Sequence, residues 1–290
     1  MEFNVEMRNV SIRCRSFNIL EDVSMNLEHG KIYGLIGRNG AGKTSLLSVL
    51  AAFRKPSVGE VIVGDEVLFE NEALMQCVSF VYQRNYAEES SRVGKFLKTE
   101  MKFRPNFDEA YAEELVEKFG LPVRSRVKHL SKGMQSVLSV VIGLASRSPL
   151  TIFDEAYLGM DAPTRVLFYE ELLMEQERHP RTIVVSTHLV SEMEYLFDEV
   201  VMIHQGRIVV QGTHEDVVSQ GVSVTGTVDM VDGFVLGKEV LNTQLLGGVK
   251  QAMLYGELSE SEQRVAEDFG VEVGTVSLQD LFIHLTKEEL

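Results

Sequence analysis

Short apolar runs broken by glycine-containing turns fill the first 80 residues, a spacing that predicts strands. Phe3–Ile12, Val23–Leu27 and Lys31–Ile36 read as three strands, the last running directly into a glycine-rich loop. Leu46, Leu47, Leu50 and Phe53 recur at helical spacing, so Thr44–Phe53 is predicted helical. Lys55 to Gly59 is a turn, and Val61–Val63 with Val67–Phe69 brackets Gly64-Asp65 as a hairpin. Val78–Tyr82 is one more buried-type strand. From about Asn85 to Arg147 the period changes. Phe107–Phe119 has one charged and one apolar face, and Ser131 is placed to cap an apolar stretch ending at Ala145. Leu150–Phe153, Thr182–Ser186, Glu199–Ile203 and Ile208–Val210 then read as strands, with Pro163–Glu177 and Leu189–Phe197 as helices between them.

Alternating strands and helices predict an α/β fold with a mostly parallel sheet covered on both faces. A helical insert at about 85–147 divides that core. After Glu215 the pattern loosens into Gly- and Val-rich stretches with two helical segments, Ser259–Phe269 and Leu278–Leu285. The expected organisation is a main domain over 1–214 and a small C-terminal α/β domain over 215–290.

Composition narrows the function classes. With 44% hydrophobic and 24% charged residues, the chain has the material for a sizeable core and is not a disordered type. The net charge of −15 argues against a nucleic-acid partner, because most of the surface repels phosphates. The excess is uneven: 13 acidic and 4 basic residues follow Glu215, which reads as a solvated acidic face. Cys14 and Cys77 alone make no disulfide framework or zinc spacing and read as reduced thiols. The N-terminus lacks the apolar core of a signal peptide. Val137–Ala145 is about half the ~20 residues of a membrane span.

The chemistry starts at Gly37–Thr44, which reads GRNGAGKT and fits G-x-x-x-x-G-K-[ST] between a strand and a helix. Glycines let backbone N–H groups converge on phosphate oxygens, and the helix N-terminus adds its dipole. Gly37, Arg38, Asn39, Gly40, Ala41, Gly42, Lys43, Thr44 and the adjoining Ser45 are the candidate nucleotide-binding residues. Lys43 is suited to the β- and γ-phosphates and the Thr44 hydroxyl to Mg²⁺. Leu150–Phe153 ends in Asp154 and Glu155, which puts two carboxylates at the ligand-binding edge of a parallel sheet. Asp154 is suited to hold Mg²⁺, and Glu155 to polarise an attacking water.

This constellation resembles the nucleotide-binding subunit of an ATP-binding cassette (ABC) transporter over about Phe3–Val218. Phe80-Val81-Tyr82-Gln83 resembles the Q-loop, Leu130-Ser131-Lys132-Gly133-Met134 the signature motif, Leu158-Gly159-Met160-Asp161 the D-loop and Ser186-Thr187-His188 the H-loop. The resemblance implies a P-loop NTPase cassette with a mixed sheet core and a helical subdomain. It implies that Gln83 contacts Mg²⁺ or the lytic water, and that His188 contacts the γ-phosphate. It also implies that Ser131 and Gly133 close on the ATP of a second subunit. Lys132 and Met134 depart from the usual signature LSGGQ, and Ala156 replaces the usual Pro after the catalytic Glu. Phe17 is the nearest aromatic for stacking on adenine, with Cys14 or Arg15 as alternatives.

The implied function is ATP hydrolysis powering a separate transmembrane permease, with ATP and Mg²⁺ as cofactors. The second ATPase subunit is an identical chain or a close paralogue, in a head-to-tail dimer. The location is cytoplasmic, on the inner face of the membrane through the permease. The LSKGM form resembles bacterial ABC-2-type exporters of drugs or antibiotic peptides. The alternative is a soluble regulatory ATPase of the same superfamily without a transport role. An unrelated phosphate-loop kinase leaves the signature and H-loop residues unexplained.

Overall fold

The computed structural model describes residues 3–14 and 16–287. The chain begins β1 (Val5–Cys14), β2 (Phe17–Leu27), β3 (Ile32–Ile36), α1 (Lys43–Leu50), β4 (Val58–Val63), β5 (Glu66–Val67), α2 (Glu72–Met75) and β6 (Val78–Val81). Three helices follow: α3 (Val93–Met101), α4 (Glu109–Lys118) and α5 (Lys132–Ala145). Next come β7 (Leu150–Asp154), α6 (Ala162–Arg178), β8 (Thr182–Thr187), α7 (Val190–Met193), β9 (Glu199–His204) and β10 (Arg207–Thr213). The chain continues through α8 (His214–Ser219), β11 (Gly221–Thr227), α9 (Val228–Phe234) and β12 (Val240–Leu246). It then runs through β13 (Val249–Tyr255), α10 (Glu260–Phe269), β14 (Glu272–Thr275) and α11 (Leu278–Leu285).

The strands form three sheets. The central one has the order β10-β9-β3-β8-β7-β6, parallel except for the antiparallel edge strand β10. Its strands are short and apolar on both faces, because each face is covered. Ile32 and Ile36 of β3 face the cluster that includes α5 and α6, whereas Tyr33 and Leu35 face α1 and the N-terminal strands. The second sheet, β2-β1-β4-β5, is antiparallel and lies over α1. The third, β12-β13-β11-β14, is antiparallel, with Val224, Ala252 and Leu254 packed on Val231, Phe234 and Ala266 of α9 and α10.

Several predicted bounds change. β2 begins at Phe17, six residues before the predicted strand, because the hairpin pairs Cys14 with Phe17 and Arg13 with Asn18. The first strands do not join the parallel sheet but form their own. Phe69 falls outside a strand, since β5 is only two residues long. The predicted helix Leu189–Phe197 is split into α7 and a 3₁₀ turn over Glu194–Leu196. The four strands β11–β14 had no expected bounds, only the general expectation of a small α/β domain.

A buried ion cluster holds the edge of the sheet remote from the strand C-termini. Glu175 (1% exposed) accepts from Arg181 Nη1 at 3.2 Å and from Arg147 Nε at 3.0 Å. Arg181 also donates to the Leu144 carbonyl at 3.2 Å, tying α5 to α6 and β8. Removing one partner leaves an uncompensated buried charge. Glu175→Ala is therefore expected to destabilise the fold by about 3–5 kcal/mol, read as a lower urea midpoint with an unchanged slope. A variant within about 1 kcal/mol of the parent would show that the cluster is not essential.

Candidate active site

Four strand ends meet on one edge. β3 leads into Gly37–Gly42, β8 into His188, β7 into Glu155 and β6 into Gln83, and these strands are neighbours in the sheet. Ligands of open α/β folds bind outside this edge.

The loop after β3 is shaped for an anion. Gly42 has φ 108 and Gly40 φ 84, conformations that a side chain resists. A Cβ on Gly40 would meet nothing within 4 Å, so the loop faces open space there. No side chain caps α1, which leaves its first N–H groups directed outward. Arg38, Asn39, Gly40 and Thr44 are exposed, Ala41 is buried, and Gly42 and Ser45 are half-buried. The Lys43 ammonium is buried (6% exposed) and donates to the Gly37 carbonyl at 2.7 Å. It lies 3.3 Å from Glu155 Oε1.

Asp154 and Glu155 are arranged through Ser186, which the sequence offered only as the start of the H-loop resemblance and without a role of its own. Ser186 Oγ donates to Asp154 Oδ1 at 2.6 Å and accepts from the Glu155 N–H at 3.0 Å. The register explains this, since Asp154 pairs with Ser186 across β7 and β8. Glu155 has φ 47, a left-handed conformation that costs a non-glycine residue of order 1 kcal/mol or more and that clusters at active sites. His188 Nδ1 lies 3.2 Å from Glu155 Oε1, so Lys43, Glu155 and His188 form one cluster. Tyr157, not anticipated, packs beneath it with its hydroxyl 3.0 Å from Thr187 Oγ1. Burial pushes its phenol up from the usual tyrosine range, so it stays protonated.

The remaining candidates lie around this cluster. Gln83 is exposed and lines a cleft of about 490 Å³ with Arg84, Lys132, Gln135 and Gly159. Ser131 caps α5 by accepting from the Met134 N–H at 3.2 Å. A Cβ on Gly133 would lie 2.4 Å from the Gly159 carbonyl oxygen, so the signature segment packs backbone to backbone on the D-loop turn. Ser136 Oγ donates to the Leu158 carbonyl at 2.6 Å and reinforces that contact. No hydrogen bond joins Ser131 or Gly133 to residues 37–45 among the described residues. Phe17 is 60% exposed on the strand whose Ile19 carbonyl approaches Gly42. Cys14 is half-buried and unpaired, and Arg15 lies outside the described residues.

One contact reaches the loop from the far end of the chain. Arg38 donates from Nε to Thr286 Oγ1 at 3.0 Å and from Nη2 to the Ile283 carbonyl at 3.2 Å. The Ser191 N–H donates to Gln279 Oε1 at 3.3 Å. Leu278, Leu281 and Phe282 of α11 are buried in the same cluster as Val190, Met193 and Leu196.

Among the described residues, no group of three or more His, Cys, Asp or Glu could hold a metal. Thr44, Gln83 and Asp154 carry a hydroxyl, an amide and a carboxylate, oxygen donors of the kind that Mg²⁺ takes beside phosphate oxygens. The open glycine loop, the uncapped helix and the buried Lys43 fit a nucleotide phosphate chain.

A family model described as ABC transporter matches residues 20–158. The ABC transporter ATP-binding protein NatA of Bacillus subtilis (strain 168) is 30% identical over 210 residues, covering 68% of this chain and 82% of that protein. The chain belongs to the ABC transporter ATP-binding family. This cassette is also 25% identical over 303 residues to the uncharacterized ABC transporter ATP-binding protein YcbN of the same organism, across 98% of this chain and 97% of that one. A solved structure of an ATP-binding subunit of an ABC transporter matches the cassette with a TM-score of 0.67 and 26% identity, over 73% of this chain and 91% of that chain. The protein is an ABC ATP-binding subunit and an ATPase. Among the described residues, no helix of the cassette is long and apolar enough to cross a membrane.

Proposed function

We propose that this ABC subunit hydrolyses ATP between two head-to-tail copies, or between itself and a close paralogue, to drive a separate exporter permease from the cytoplasmic side. The convergence of Lys43, Glu155 and His188 on the uncapped start of α1 carries the reading. Residues 37–45 hold the phosphates through backbone N–H groups, with Lys43 supplying the charge. Glu155 orients the attacking water and takes its proton. His188 donates to the γ-phosphate, and Ser131 and Gly133 close on the nucleotide of the other subunit. Thr44, Gln83 and Asp154 hold Mg²⁺, which neutralises phosphate charge when bound. Phe17 stacks on the adenine. Loss of the γ-phosphate removes contacts across the dimer, so the interface works as a ligand-biased switch.

The division at 214/215 follows the same logic. Residues 1–214 form the ATPase unit, with its helical part over about 85–147, and residues 215–290 form an accessory unit. That accessory unit braces the phosphate loop through Arg38 and α11. Export is favoured by the LSKGM form of the signature.

Affinity capture of the tagged chain from detergent-solubilised membranes of its host tests the transporter reading. A polytopic membrane protein in matching amount is expected. A soluble partner alone would favour a regulatory ATPase without a transport role.

A further inference from the structure

His188 Nδ1 has two neighbours that make opposite demands. Glu155 Oε1 lies 3.2 Å away, and a carboxylate only accepts, so that contact needs a proton on Nδ1. The Tyr157 hydroxyl lies 3.3 Å from the same nitrogen. It already accepts from the His188 backbone N–H at 3.3 Å and has one proton to give. It can give that proton to Nδ1 only when Nδ1 is bare. Thr187 Oγ1, 3.0 Å away, is the other acceptor for it.

The choice reaches the far side of the ring. In a neutral imidazole one nitrogen donates and the other accepts. With the proton on Nδ1, Nε2 presents a lone pair, which repels a phosphate oxygen. With Nδ1 accepting from Tyr157, Nε2 carries the N–H and can donate. The backbone contact and the burial of Tyr157 (1% exposed) keep its hydroxyl beside the ring in either case.

We propose that Tyr157 is a positioning residue for hydrolysis: once Glu155 turns to the attacking water, the Tyr157 hydroxyl donates to Nδ1 and holds His188 as the Nε2–H tautomer. One proton leaves Nδ1 to water and one arrives at Nε2 from water, with no net change of charge. The ring is 35% exposed, so solvent reaches it for this exchange. The inference rests on the reading of His188 as a phosphate contact.

The test uses the full chain labelled with ¹⁵N-histidine, with Mg²⁺ and a non-hydrolysable ATP analogue. The His188 ring signals are assigned by their loss in His188→Gln. In the parent, adding the analogue is expected to move the ring from the Nδ1–H to the Nε2–H pattern. In Tyr157→Phe, which keeps the packed ring, it stays Nδ1–H. Turnover of that variant is expected to fall about tenfold and nucleotide affinity a few-fold with it, because the bound phosphate loses the Nε2–H donor. An Nε2–H ring in both proteins overturns the role of Tyr157 while leaving the phosphate contact standing. A parent ring that responds to the analogue but remains Nδ1–H also overturns it. A parent ring that ignores the analogue removes the phosphate contact itself, and the inference with it.

Discussion

Glu155→Gln lowers ATP turnover by about 10²–10⁴-fold, the range expected for loss of a general base. The amide has nearly the carboxylate's shape. It can still accept from Lys43 and sit beside His188, both now about 3.3 Å or less from Oε1. The N–H of residue 155 still donates to Ser186 Oγ, so the left-handed backbone there keeps its support. What the amide lacks is affinity for the water's proton. Nucleotide affinity is therefore expected to stay within a few-fold, and the loss to fall on kcat. Steady-state phosphate release checks this. Turnover equal to the parent's would remove Glu155 from the catalytic role and leave it as the acidic partner of Lys43.

Lys43→Ala is expected to weaken ATP binding by about 10²-fold. Charge-assisted hydrogen bonds are worth about 1.5–3 kcal/mol each, and every 1.4 kcal/mol is tenfold. Lys43 is buried with its ammonium on the Gly37 carbonyl and beside Glu155, so it is held where phosphates would pass. Its loss also leaves Glu155 without its cation, and an unpaired carboxylate next to an incoming polyphosphate adds repulsion. Calorimetric titration with ATP reads the change. An affinity equal to the parent's would contradict the assignment of Gly37–Thr44 to the phosphates.

The site was legible in the sequence where local chemistry alone determines it. Gly40 and Gly42 announce a loop that only glycine tolerates, and their positive φ values are the reason. Asp154 and Glu155 follow an apolar strand whose buried neighbours leave it no other place than mid-sheet. What stayed hidden depends on register and on packing between distant segments. Ser186 matters because it pairs with Asp154 across two strands, a relation with no mark in the serine itself. Tyr157 reads as an ordinary core aromatic until its hydroxyl is seen beside His188. Gly133 was expected to serve a close approach to phosphate, and within its own chain it serves a close approach to Gly159.

The individual strands of the C-terminal sheet went unplaced for another reason. Its edge strands β12 and β14 are mostly exposed, so they carry little of the apolar alternation that marks a half-buried strand. α11 was legible as a helix, but nothing in Leu278–Leu285 reveals that its end meets Arg38, over 240 positions away.

Sedimentation of the Glu155→Gln protein, with and without Mg²⁺ and ATP, is the most direct test of a nucleotide-bridged pair of cassettes. The account predicts a monomer without nucleotide and a dimer holding two ATP molecules with it. A monomer under both conditions, with ATP bound, would contradict a pair of identical cassettes and leave only pairing with a close paralogue.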